Sequence, residues 1–514
     1  MNIKNAKEEI QNTVRAYLLR DENGNYRIPA VRQRPLLLMG PPGVGKTQII
    51  EQVARECGVA LVAYTITHHT RQSAVGLPFI LKKSYGGKEF SVTEYTMSEI
   101  IASVYDKMES TGLREGILFI DEINCVSETL APTMLQFLQG KTFGNQKVPE
   151  GWVIVTAGNP PEYNRSAREF DIVTLDRVRR IDVEPDFAAW KEYAFRQSIH
   201  GAVVSYLDIR KENFYRIETT PDGIRFATAR GWEDLSEIIG VREALGLPID
   251  QELILQYIQN PATAKDFANY YELYGKYRND YRVEEVLAGR FSDEAVTKLR
   301  NASFDEKLSV IGLLLSSLNE RFRQAFLTDR FTETLFEQLK QWKQLLANAK
   351  ASPEELLRQM IQEAESSLEQ RVENRQINRD EETVLHRSVH ALEAYADELR
   401  LNDVHASDAA FSLVKEKFDA ETGRRKKEIT AVSAALENAF AFLAKVFGES
   451  QEMVVFVTEL TMNFYSARFI ADNGSDSYYV YNRGLLFGER QQGILKEIDN
   501  LQTDVMGNDL REDS

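Results

Sequence analysis

Cysteine is nearly absent: Cys57 and Cys125 are the two in 514 residues. Two such thiols cannot form a disulfide framework, and they fit free cysteines in a reducing compartment. Histidine numbers six. His386 and His390 stand four apart, which would put both imidazoles on one helical face. No cysteine is near, however, and Glu382 and Glu393 read as ordinary charged-helix residues, so the pair is read as surface and not as a metal site. His68-His69 is read the same way. Long apolar runs are missing too. The most apolar stretch near the C-terminus, 453–460, is too short to span a bilayer and contains Thr458 and Glu459. The first sixteen residues mix Lys, Glu and Asn at helical spacing without an apolar centre, unlike a signal peptide. Nor is there an excess of positive charge: 62 Lys and Arg face 78 Asp and Glu, a net charge of −16. Such an acidic surface weighs against nucleic acid and anionic lipid as partners. Together these absences predict a soluble, cytoplasmic protein with no membrane insertion.

What is present is enough apolar content, 43%, to fill two to four domain cores. Residues 28–184 alternate short aliphatic runs (36–39, 61–66, 117–120, 153–156, 180–183) with helical patterns. This rhythm predicts a parallel sheet with helices on both faces. Residues 1–27 read as a helical lead-in, 185–277 as a smaller helical lid, and 278–514 as a mainly α-helical C-terminal domain of unknown role. In that last part Leu308, Ile311, Leu315, Leu318 and Phe322 repeat at helical spacing, and so do Leu335, Leu339, Trp342 and Leu346. Ser352-Pro353-Glu354-Glu355 has the form of a capped helix start. The polar stretch 363–382 reads as a solvated helix or linker, and 499–514 as a frayed acidic tail. Arg424-Arg425-Lys426-Lys427, flanked by Glu421 and Glu428, reads as solvated helix surface. Tyr478-Tyr479-Val480-Tyr481 fits either a short strand or a packing plug.

The chemistry begins at Gly40-Pro41-Pro42-Gly43-Val44-Gly45-Lys46-Thr47, which follows an apolar strand and, with Gln48, opens a helix. Glycines let successive backbone N–H groups turn toward phosphates, and the helix N-terminus adds its positive end. Lys46 can then reach the β- and γ-phosphates of ATP, and Thr47 can offer its hydroxyl to Mg²⁺. Further on, an apolar strand ends in Asp121-Glu122. Adjacent carboxylates at a buried strand end need a cation nearby. Asp121 is placed as a Mg²⁺ ligand and Glu122 as the base that polarises an attacking water. Asn159, after the strand ending near Thr156, could orient that water. Arg177, in Leu175-Asp176-Arg177, could serve as an arginine finger.

The order of these motifs is similar to that of the AAA+ ATPases, and within them it resembles the MoxR family, from about Tyr26 to Tyr274. That resemblance implies an α/β P-loop AAA+ core with a helical lid. It also implies that Ile28, in Ile28-Pro29, touches adenine, that Asn159 is sensor 1, and that Arg177 acts in trans on a neighbour's nucleotide. Arg230, in Ala227-Thr228-Ala229-Arg230-Gly231-Trp232, resembles sensor 2, although the commoner Ser-Pro-Arg form is not present. An insertion in the second core helix is implied between Ile66 and Ser98, where Phe79, Tyr85, Phe90 and Tyr95 are candidates to touch a substrate. The family further implies a homo-oligomeric ring, a hexamer, that remodels or matures a protein client together with a von Willebrand factor A-domain protein. Two alternatives stay open: a nucleic-acid motor of a restriction or defence system, and a nucleotide-regulated scaffold.

Overall fold

The computed structural model describes residues 1–483 apart from 69–71, 73, 75, 144–145, 165, 222 and 349–350. The expected insert residues His69, Thr70 and Arg71 and the acidic tail 499–514 therefore lie outside the described residues. Chain contacts divide the protein into two compact units.

The first unit gathers Met1–Trp190, Phe214–Trp232 and Gln362–Thr383. Its centre is a five-stranded sheet of β1 (Leu36–Met39), β2 (Ala60–Thr65), β5 (Gly116–Asp121), β8 (Trp152–Gly158) and β9 (Arg179–Asp182), in the order β2-β5-β8-β1-β9. Every pairing in it is parallel. Near-continuous apolar runs such as Leu36-Leu37-Leu38-Met39 are what a sheet covered on both faces requires. Alternate residues of the strands feed two cores. Leu36, Leu38, Ile117, Phe119, Val153 and Val155 meet Ile49, Ile50 and Val53 of helix Lys46–Cys57 on one face. Leu37, Leu118, Ile120 and Ile154 meet Ile100, Ile101 and Val104 of helix Glu99–Thr111 on the other. The lead-in forms helix Ile3–Leu18, capped by Asn2, and its Ala6, Ile10 and Val14 join the first of these cores.

Among the described residues the unit also holds three two-stranded hairpins: β3 (Pro78–Tyr85) with β4 (Lys88–Tyr95), β6 (Thr142–Phe143) with β7 (Gln146–Lys147), and β10 (Arg216–Thr220) with β11 (Gly223–Ala227). The last interrupts a region expected to be helical, and Pro221-Asp222-Gly223 is the turn signal for it. The polar stretch 363–382 is mostly exposed and largely helical, as a solvated helix would be, but it is not a linker. It ends helix Pro353–Glu373, turns, and begins helix Arg379–Leu401 against the sheet domain.

The second unit, Lys191–Asn213, Glu233–Ile361 and Val384 onward, is helical among its described residues. The two apolar repeats expected at 308–322 and 335–346 merge into one 45-residue helix, Phe304–Asn348, because no breaker separates them. The start at Ser352 is a reciprocal capping box: Ser352 N donates to Glu355 Oε2 at 3.0 Å, and Glu355 N to Ser352 Oγ at 3.2 Å. Residues 478–481 are helical, with Tyr478 buried and Tyr479 and Val480 exposed, so the short-strand alternative falls. His390 Nδ1 lies 3.0 Å from Glu393. Arg425 pairs with Asp329, and Arg424 lies 3.4 Å from Glu421.

Among the described residues, helix Ser407–Phe447, and not 453–460, is long and apolar enough to cross a membrane by length and composition. Its most apolar window has a mean hydropathy of 1.4 and is 44% buried. Val432, Leu436, Phe440 and Leu443 of that helix pack into the core of this unit with Ile311, Leu314 and Phe456.

Lys191, 5% exposed, anchors this unit between Asp208, at 2.6 Å, and Glu459. Glu459 Oε2 lies 2.7 Å from the ammonium but without hydrogen-bond geometry. Burial pushes the Glu459 carboxyl up from its ordinary range. Lys191→Met would strand two carboxylates and should cost about 3–5 kcal/mol of unfolding free energy in urea titration. Adding Asp208→Asn and Glu459→Gln should recover part of that loss. A single variant as stable as the parent would show that the lysine carries no such role.

Candidate nucleotide site

Strand β1 delivers the loop 40–47 to its C-terminal edge, and the helix that follows starts at Lys46. Gly43 and Gly45 adopt φ of +75° and +89°, a left-handed backbone that other residues enter at a cost. The loop therefore turns its N–H groups inward ahead of the helix N-terminus. Val44 is buried in the core beneath, while Gln48 is exposed.

Lys46 is buried, and its ammonium is fully engaged: Nζ donates to Gly40 O at 2.8 Å, Pro41 O at 2.9 Å and Asn159 Oδ1 at 2.8 Å. Burial lowers its pKa to about 8 against the pull of Asp121. Thr47 Oγ1 donates to Asp121 Oδ2 at 3.0 Å, and Asp121 Oδ1 accepts from Glu122 N at 2.9 Å. Glu122 sits at φ +56°, a strained conformation for a glutamate, and its Oε2 accepts from Thr67 Oγ1 at 3.0 Å. Loop, acidic strand end and Asn159 thus converge as the sequence predicts.

Arg230 also reaches the site. A Cβ on Gly43 would stand 3.3 Å from Thr228 Cβ and 3.5 Å from Arg230 Cβ. The positive charge of Arg230 also contributes to lowering the pKa of Lys46. Arg177 is not brought in. It is exposed beyond the short helix Ile172–Leu175, and its side chain makes no hydrogen bond or ion pair among the described residues. Ile28 lies in the bend before the turn Ala30–Arg32, where its carbonyl accepts from Gln33 Nε2 at 2.9 Å. No hydrogen bond among the described residues ties it to the loop.

Three contributors escape the motifs. Thr67 holds Glu122. Tyr215 donates its hydroxyl to Pro42 O at 2.7 Å. Asn124, 2% exposed, pins the Asn159 carbonyl at 2.7 Å. None belongs to a local pattern, so only the fold shows them.

The expected insert is an exposed hairpin. Its cross-strand partners place Phe79, Leu81 and Tyr85 on one face with Phe90 and Val92. Phe79, Tyr85, Phe90 and Tyr95 are 39%, 56%, 49% and 38% exposed, so none of the four is a core residue.

Oxygen ligands at Thr47 and Asp121 fit a hard divalent cation that fills its shell with phosphate oxygens and water. Among the described residues no group of three or more His, Cys, Asp or Glu forms a cage of its own. The parallel sheet, the loop at its C-terminal edge and the paired acids define a P-loop domain of the AAA+ fold.

Residues 36–175 match the family model "ATPase family associated with various cellular activities (AAA)", so the chain carries an AAA ATPase domain. Both Arg177 and Arg230 lie beyond the matched stretch. The chain is 47% identical over 55 residues to the ATP-dependent zinc metalloprotease FtsH of Hahella chejuensis, which is 11% of this chain and 9% of that protein. It is 34% identical over 179 residues to ATPase family gene 2 protein homolog A of Homo sapiens, 31% of this chain and 17% of that protein. It thus spans less than a fifth of the length of either relative. A RuvB point mutant from Thermogota maritima aligns over 50% of this chain and 69% of its own, at 15% identity and a TM-score of 0.27.

Proposed function

We propose that this chain is a Mg²⁺-dependent ATPase of MoxR type, which works as a ring, a hexamer, to remodel or mature a protein client alongside a von Willebrand factor A-domain partner. The observation that carries the ATPase reading is the convergence of Lys46, Thr47, Asp121, Glu122 and Asn159 on one loop, with Arg230 beside it. Lys46 would exchange its loop carbonyls for phosphate oxygens and keep the γ-phosphate near Asn159. Thr47 and Asp121 would hold Mg²⁺, which when bound offsets charge on the phosphates. Glu122 would take the proton of the attacking water. Arg230, in the unit of the phosphate loop, would contact the bound nucleotide from beside Gly43.

Lys46→Ala should weaken nucleotide binding about 10²-fold, the scale for losing a charge-assisted contact. Fluorescent-nucleotide titration reads it, and unchanged affinity would sink the loop assignment.

A protein client is favoured over nucleic acid by the hairpin β3–β4. Two of its three lysines are paired, Lys82 with Glu89 and Lys83 with Glu94, and beside these charges it offers solvent the exposed Phe79, Ile80, Tyr85 and Phe90. A tagged Glu122→Gln protein held in ATP should retain a von Willebrand factor A-domain protein, with or without its client. Recovery of nucleic acid or a nuclease subunit would instead favour the nucleic-acid motor and leave the ATPase reading standing.

A further inference from the structure

Residues 362–383 come from more than 300 positions beyond the phosphate loop, yet they pack with the sheet domain. They meet two helices that cover opposite faces of the sheet. On helix Lys46–Cys57, Arg375 pairs with Glu51, and Arg55 Nη1 donates to Ile377 O at 3.3 Å. On helix Glu99–Thr111, Lys107 Nζ donates to Asn374 Oδ1 at 2.6 Å, and Gln370 Nε2 donates to Ser110 O at 3.0 Å. Both helices also contact strand β2, the edge strand of the sheet. Leu368 and Ile377 are buried, at 5% and 8% exposure, in a stretch otherwise polar.

The turn is built rather than incidental. Arg375 N bonds to Val372 O at 2.9 Å and Gln376 N to Arg371 O at 2.8 Å, closing the helix end with Arg375 at φ +55°. Glycine is the ordinary occupant of that position. An arginine there accepts backbone strain, and its guanidinium reaches Glu51. The next helix begins two residues past Ile377 with a reciprocal cap between Asn378 and Glu381, at 3.0 and 2.9 Å. An exposed ion pair contributes little stability by itself. Its use here is registry, beside the hydrogen bonds that Gln370, Asn374 and Ile377 make to the two helices.

One of the two bridged helices begins with Lys46 and Thr47. The other begins at Glu99, four residues after the exposed hairpin ends at Tyr95. We propose that residues 362–383 are a strap that couples these helices, so that nucleotide held at the phosphate loop shifts the anchor of the hairpin through the C-terminal segment. The proposal rests on the nucleotide reading above and adds a route from that site to the hairpin.

Hydrogen exchange on the full chain, with and without Mg²⁺ and AMP-PNP, tests it. Loop amides 40–48, strap amides 366–378 and helix 99–111 should all slow on nucleotide addition, the strap by about fivefold. Ile377→Asp, which changes none of the residues assigned to the nucleotide, should keep the slowing at the loop and lose it on helix 99–111. The charge swap Glu51→Arg with Arg375→Glu should retain the strap's response, which Arg375→Glu alone loses. Loop protection with an unchanged strap, or a helix 99–111 that responds equally in Ile377→Asp, would overturn the strap and leave the nucleotide reading intact. Absence of protection at the loop itself would overturn both.

Discussion

Glu122→Gln is expected to bind ATP as the parent does and to hydrolyse it about 10²–10⁴-fold more slowly, the range for losing a positioned general base. The amide is nearly isosteric, and its oxygen can still accept from Thr67 Oγ1, now 3.0 Å from Glu122 Oε2. The bond from Glu122 N to Asp121 Oδ1 uses the main chain and is indifferent to the change. Asp121 keeps its contact with Thr47, and Lys46 keeps its place beside Asn159. Only basicity is removed. Phosphate release at saturating ATP, with affinity from nucleotide titration, separates the two quantities. Turnover within a few-fold of the parent would take the base role away from Glu122 and leave its strained φ of +56° without a catalytic reason.

The nucleotide site was legible wherever its chemistry is local in the chain. Eight consecutive residues state the loop, and two adjacent acids state the strand end, because a phosphate cradle needs those types at that spacing. Asn159 and Arg230, expected from motif order, both lie beside the loop. The supporting contacts were not legible. Thr67 stands 55 positions from Glu122, and Tyr215 stands 173 from Pro42. A lone hydroxyl has no spacing to betray it. The hairpin β3–β4 was recognisable as an insertion but not as strands, since Phe79, Ile80 and Leu81 are consecutive and place apolar side chains on both faces. The strap was misread for a related reason. With Leu368 and Ile377 nine apart and charges around them, 363–382 has no apolar stripe, and its attachment runs through a turn and backbone carbonyls. Periodicity reports burial of a face, and these segments bury points.

Arg177→Ala is expected to slow hydrolysis about 10³-fold or more, the scale for an arginine that stabilises charge on a transferring phosphoryl group, while affinity for ATP changes little. The expectation follows from what Arg177 does not do within its own chain. Its guanidinium is solvent-facing and makes no hydrogen bond or ion pair among the described residues, acting only through its charge on nearby Asp171, whereas Arg230 already stands beside the loop. The preceding turn is firmly set, since Asp171 Oδ1 accepts from Thr174 N at 2.8 Å. Ile172 and Val173, 82% and 52% exposed, flank it with apolar surface. An exposed arginine that no hydrogen-bond or ion-pair partner among the described residues engages suits a neighbouring copy's nucleotide in a cyclic assembly, where each interface repeats head to tail. The decisive form of the test mixes two inactive proteins. On the proposed arrangement a site needs its own Glu122 and the neighbour's Arg177, so Arg177→Ala and Glu122→Gln subunits combined at random in equal amounts should make about a quarter of interfaces complete. Activity should appear on mixing and peak near equal proportions. If every ratio stays as inactive as the separate variants while mixed rings are seen to form, Arg177 does not act on the neighbouring subunit.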